Sequence, residues 1–137
     1  IHQLKRLDGM QNRRSSIAKY YNDELKTLPI ELPATAKNDV HSWHLYTIDL
    51  IDDSFKISRD KFIEAMSFNG VGTSVHFIPL HMHPYWKKLG NFNDDDYPVS
   101  CSKFLRTLSL PIYPLMTDEQ VEKVVRVFKK IAFDNIV

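Results

Sequence analysis

Residues 72–86 read GTSVHFIPLHMHPYW, and how this stretch divides decides what the chain can build. Its first seven residues alternate. With a side-chain period of two, Thr73, Val75 and Phe77 fall on one face of a strand and Ser74, His76 and Ile78 on the other. Pro79, which has no N–H for a ladder, ends the pairing. Placing Val75 and Phe77 in a core turns His76 and Ser74 outward. Pro84 suits the first turn of a short helix through Tyr85, Trp86 and Leu89, stopped by Gly90.

The same logic extends in both directions. Upstream, HSWHLYTIDL (41–50) is rich in aromatic and β-branched residues with apolar side chains on both faces, which predicts a buried strand. Ser58 is the expected N-cap of a helix carrying Phe62, Ile63 and Met66, which stops at Asn69-Gly70, where a left-handed residue suits glycine. Further back, Leu4, Leu7, Met10, Ile17, Tyr21, Leu25 and Leu28 recur at helical spacing, and Pro29 closes that long amphipathic helix. Downstream, the acidic loop NFNDDDYP (91–98) leads into a helix from Pro98 to Arg106 and a short apolar strand, LSLP. Thr117 and Gln120 form a capping box ahead of Val121, Val124, Val125, Phe128 and Ile131, the core stripe of a terminal helix. The expected order is helix, strand, helix, strand, helices, strand, helix: an α+β domain with a small antiparallel sheet of about three strands.

Composition bounds the function. At 137 residues and 43% hydrophobic content the chain is one domain, residues 1–137. Eighteen Lys+Arg against seventeen Asp+Glu, interleaved, give a net charge of +1 and no electrostatic footprint for nucleic acid or anionic lipid. The single cysteine, Cys101, cannot pair internally, and no long uncharged apolar run is present, so a soluble, cytoplasmic protein is expected. The chain opens IHQLKR, with no initiator Met and a helical pattern already running, as in a piece of something longer.

The histidines are the candidate functional residues. His76, His81 and His83, with His41, His44 and Asp94 to Asp96, invite a zinc reading, but the H-x4-H-x-H spacing matches no compact tetrahedral ligand pattern and Cys101 adds little. No metal site is assigned. His83 reads as a loop residue satisfying turn backbone. His76 and His81 read as ligand contacts projecting toward one space, since neutral imidazole offers one donor and one acceptor to sugar or phosphate oxygens. Trp43 and Tyr46 read as core, and Asp94 to Asp96 as a solvated loop that favours the next helix N-terminus.

SWHLY (42–46), RD (59–60), GVGTSVHFIPLHMHPYW (70–86) and LSLPIYPLMTDEQVEKV (108–124), in that order, resemble the C-terminal part of the DegT/StrS family of pyridoxal-phosphate sugar aminotransferases. HQLKRLDGMQNRRSSIAKYYNDEL (2–25) resembles the long helix that follows the family's large domain. The resemblance implies the small domain of a fold-type I transferase, with residues 1–28 leading from a large cofactor domain absent here, in a homodimer. It implies amino transfer from glutamate or glutamine to a nucleotide-linked keto-sugar, for polysaccharide biosynthesis, with pyridoxal 5'-phosphate as cofactor. Residue by residue, it places His76 and His81 toward the sugar-nucleotide pocket, with Ser74 and Tyr85 as weaker candidates. The four glycines, Gly9, Gly70, Gly72 and Gly90, make no phosphate loop, and no lysine sits in a matching motif, so this chain carries no catalytic or cofactor-binding residue and should be inactive alone. Two alternatives stay open: a stand-alone small-ligand or metal-binding module, and a purely structural domain.

Overall fold

Five helices surround a three-stranded antiparallel sheet in the computed structural model, which describes residues 1–36, 39–90 and 92–137. The fold class is α+β, as expected. Helix α1 (Leu7–Leu25) follows a 3₁₀ turn at Leu4–Arg6 and buries Ile17, Ala18, Tyr21 and Leu25 along one stripe. Leu4 and Leu7, which the periodicity assigns to that stripe, stand exposed because the helix begins beyond the elements that cover it. Strand β1 (Ile30–Glu31) is only two residues long and has no period for a sequence pattern to reveal. Strand β2 (Tyr46–Leu50) is the second half of the expected 41–50 strand. The first half departs because Trp43 adopts φ 48°, outside the extended region, although its indole is buried as expected.

Helix α2 (Arg59–Phe68) starts where predicted, with Ser58 Oγ accepting from Lys61 N at 3.4 Å. It ends at Gly70, whose φ of 72° needs the missing Cβ. Helix α3 (Pro84–Gly90), helix α4 (Pro98–Arg106), strand β3 (Thr107–Leu110) and helix α5 (Asp118–Asn135) also fall where the caps and prolines put them. The reciprocal Thr117–Gln120 capping box is present. Of the acidic loop, Asn91 lies outside the described residues.

Register gives the sheet two unlike faces. β2 lies between β1 and β3, with Tyr46 opposite Leu110 and Ile48 opposite Leu108. These apolar pairs face the core formed with α1, α2 and α5, where the Phe62 and Phe128 rings meet at 4.8 Å. Tyr46 donates to Asn22 Oδ1 at 2.6 Å and Tyr21 to the Pro111 carbonyl at 2.8 Å. Burial, aided for Tyr21 by Tyr46, holds both phenols well above their ordinary range.

The alternate residues, Thr47, Asp49, Thr107 and Ser109, face the other way. Asp49 is 3% exposed there, accepting from the Thr107 hydroxyl and from Lys103 of α4. Arg59 links the layers: its Nη1 donates to the Thr107 carbonyl at 3.0 Å and its guanidinium stands 5.3 Å from the Phe104 ring centroid.

The predicted strand at 72–78 does not form. Only Ser74 bridges β3, exchanging backbone bonds with Ser109 (3.2 and 2.7 Å), and the chain then leaves the sheet. Val75 is 38% and Phe77 80% exposed, so neither is core. Alternation specifies a strand only where a second edge supplies the ladder and a covered face rewards it, and past Ser74 neither is present.

Candidate functional site

The departure of the chain from β3 creates the site. Pinned at Ser74, the segment from His76 to Leu80 runs beside α4 and leaves a groove of about 790 Å³, with His76, Phe77 and Pro79 on one wall and Tyr97, Lys103 and Phe104 on the other. His76 is half-buried, its ring 5.3 Å from that of Phe77. Neither imidazole nitrogen has a hydrogen-bond partner among the described residues, so both are available to a ligand. His76 thus reaches an opening, but by a different route from the one expected. It shares the groove with Phe77 instead of pointing away from it, because no strand forces the two apart.

His81 is placed differently. It sits on a 3₁₀ turn (Leu80–Met82), 8% exposed, with its ring stacked on Tyr97 at 4.4 Å and its Nε2 3.1 Å from Cys101 Sγ. It lines a second cavity of about 300 Å³ with Trp86, Phe92 and Tyr97. His76 and His81 therefore open on neighbouring spaces that share Leu80 and Tyr97, not on one space. Ser74 is held by its backbone bridge, and Tyr85 projects from α3 with its ring edge-on to Trp86; neither lines either cavity. His83 Nε2 lies 3.2 Å from the Ile78 carbonyl, the backbone role expected of it. His41 Nδ1 accepts from Trp43 N at 3.0 Å and closes a local turn.

The structure adds two features that the sequence did not assign. Cys101, in the first half of α4, comes within reach of both His81 and Asp94; the thiol donates to the Asp94 carbonyl at 3.3 Å. His81, Asp94 and Cys101 offer one ligand atom each within 4.8 Å of one another. Partial burial and then the Asp94 charge push the Cys101 thiol up, with Lys87 pulling the other way. Only the shared outlook of the 80–82 and 94–96 turns brings this set together, so no spacing rule finds it.

The second feature is the state of the groove's lysine. Lys103 bonds Asp49 and lies 3.3 Å from Glu31, and the Asp49 hydrogen bond holds its ammonium above the ordinary lysine range. A lysine that forms a Schiff base needs the opposite shift, toward the free amine. Lys103 therefore does not fit covalent attachment of a pyridoxal cofactor.

The family model for the DegT/DnrJ/EryC1/StrS aminotransferases matches residues 1–129. The chain is 46% identical over 136 residues to the uncharacterized protein MJ1066 of Methanocaldococcus jannaschii, covering 98% of this chain and 35% of that one. It is 39% identical over 133 residues to the spore coat polysaccharide biosynthesis protein SpsC of Bacillus subtilis, covering 96% and 34%. Among solved structures, the putative sugar aminotransferase Spr1654 of Streptococcus pneumoniae superposes with a TM-score of 0.87 at 26% identity, over 96% of this chain and 33% of that one. Spr1654 has been solved in apo, PLP and PMP forms. The chain spans about a third of the length of these relatives.

Proposed function

Because the chain belongs to the DegT/DnrJ/EryC1/StrS aminotransferase family, we propose that it is the small domain of a pyridoxal-phosphate-dependent sugar aminotransferase, and that its His76 groove walls the pocket for a nucleotide-linked keto-sugar. The cofactor supplies the electron sink for moving an amino group between an amino acid, glutamate or glutamine, and that sugar. It is held by a large domain outside this chain, with residues 1–28 leading from it, in a cytoplasmic homodimer. The free thiol of Cys101 suits a reducing compartment. No helix among the described residues is long and apolar enough to cross a membrane.

One observation carries the assignment of the groove: His76, whose ring nitrogens have no hydrogen-bond partner among the described residues, lines an apolar-walled space large enough for a sugar-nucleotide fragment. His81 contributes indirectly, since its ring backs Tyr97, which lines the groove, while its Nε2 is taken by Cys101. Ser74 and Tyr85 stand further out, Ser74 pinning the start of the segment through its bridge to Ser109. A stand-alone binding module is not favoured, because the family match runs almost end to end.

The test uses the whole protein with His76→Ala. Removing a hydrogen bond made to the sugar costs about 1–1.5 kcal/mol, so kcat/KM for the sugar falls roughly tenfold, with a smaller change for the amino donor. An unchanged kcat/KM for the sugar would refute the assignment and leave the domain a structural role.

A further inference from the structure

We propose that His81, Asp94 and Cys101 form a binding site for a single zinc-class divalent cation. Their three donor atoms lie within 4.8 Å of one another, and come from a 3₁₀ turn, a second 3₁₀ turn and the first half of α4. A nitrogen, a carboxylate oxygen and a sulfur are the donors a borderline-soft ion prefers, and three protein ligands leave a fourth position for water. Bond lengths of about 2.0–2.3 Å set neighbouring donors of a tetrahedral zinc roughly 3.5 Å apart. The His81 Nε2 and Cys101 Sγ atoms, now at 3.1 Å, need to open only slightly, while Asp94 swings inward. Both turns lie outside the hydrophobic core, so this adjustment leaves packing undisturbed.

The surroundings are built for such an ion. His81 is 8% exposed and fixed by its stack on Tyr97, so its ring does not have to be ordered on binding. Lys87 Nζ lies 3.0 Å from one Asp94 oxygen, which orients the carboxylate and leaves the second oxygen for the ion. Without a cation, the thiol hydrogen goes to the Asp94 carbonyl. On binding, the sulfur–hydrogen bond breaks, the electron pair stays on sulfur and forms the bond to the ion, and one proton leaves to solvent. His81 binds the ion through Nε2, with its ring hydrogen carried on Nδ1. The site is separate from the His76 groove, and its existence does not depend on the groove's function.

The chain, purified without a histidine tag, is titrated with Co²⁺ as a spectroscopic probe and with Zn²⁺ by calorimetry. The expected result is one equivalent bound, a thiolate-to-cobalt charge-transfer band that Zn²⁺ abolishes, and about one proton released per ion, read from buffers of different ionisation heat. Cys101→Ser abolishes the band and weakens Zn²⁺ binding by about tenfold or more; Asp94→Asn, at an exposed position where misfolding is not a concern, weakens it by about 3–10-fold. Far-UV circular dichroism checks that each variant keeps its fold. No charge-transfer band in the parent chain, or equal Zn²⁺ affinity in the parent and in Asp94→Asn, would overturn the proposal.

Discussion

Lys103→Met is the sharpest test of how the polar face of the sheet is held. Asp49 is 3% exposed, and its carboxylate relies on the Thr107 hydroxyl and the Lys103 ammonium, whereas the lysine side chain keeps 55% of its surface in water. At an ion-pair separation of about 3 Å and an effective dielectric of about 40, between surface-type and aqueous values, the attraction is about 3 kcal/mol. Ordering a lysine offsets up to about 2 kcal/mol of that. Removing only the cation, however, also strands a buried anion with one partner, which adds about 1–3 kcal/mol. The net loss is about 2–4 kcal/mol, or a melting temperature lower by roughly 7–14 °C in a chain of this size. Asp49→Asn should cost less, about 1 kcal/mol, because the freed lysine returns to water and to Glu31. In the double variant, Asp49→Asn should recover part of the Lys103→Met loss. Urea unfolding of the four proteins measures all three quantities. If Asp49→Asn proves as damaging as Lys103→Met, or the double variant shows no recovery, the carboxylate is not stranded and the reasoning fails.

Three further outcomes are expected. The Lys103 ammonium is held above its ordinary range, chiefly by the Asp49 hydrogen bond, so its stabilisation is complete below the unfolded lysine pKa and is lost as pH rises through the folded value. The stability gap between parent and Lys103→Met, measured by urea titration, should therefore narrow at strongly alkaline pH; a constant gap would contradict the pairing. Gly70→Ala should lose about 1–2 kcal/mol, because φ 72° is strained for alanine and the new methyl meets Lys123 Nζ at 2.9 Å; equal melting temperatures would show that the turn relaxes freely. Mixing this chain with pyridoxal phosphate and borohydride should leave no stoichiometric adduct at one lysine by mass spectrometry, whereas a single fully modified lysine would reverse the conclusion drawn from Lys103.

Much of the fold was legible wherever local chemistry decides. Ser58, Gly70, Pro84, Pro98 and Thr117 mark helix ends through caps and fixed dihedrals that act within four residues, and each stands where expected. The failures share a different cause. Thr73 to Ile78 alternate well enough for a strand, yet pairing needs a partner edge, and β3 supplies one residue of it. β1 exists only because Ile30 and Glu31 pass beside Leu50 and Asp49, a tertiary accident with no period of its own. Trp43 satisfies the aromatic preference of a strand and is buried as core, while its φ of 48° takes the backbone out of the ladder. His76 was found for an outward position that it holds without the strand that was to put it there.

The two histidines show why the site was only half legible. In sequence, His76 projects from the strand face and His81 from just past the strand end toward one space, yet the chain turns at Pro79 and rolls His81 inward against Tyr97 and Cys101. Tyr97 lies at the boundary, lining both the 790 Å³ groove and the 300 Å³ cavity. It also immediately precedes α4, whose later residues Lys103 and Arg106 reach the acidic cluster at Glu31, Asp49 and Asp52. One nine-residue helix thus carries a groove wall, a thiol beside His81 and the cations of the polar sheet face. The thiol and the Lys103 cation lie about 200° apart around α4 and have different partners, so single substitutions should separate those two roles: Lys103→Met acts on stability through Asp49, and Cys101→Ser on the thiol pair. Double variants across the two sides should then be additive to within about 0.5 kcal/mol in unfolding. A coupling larger than that would mean that α4 moves as a rigid unit and transmits the loss of either anchor to the groove.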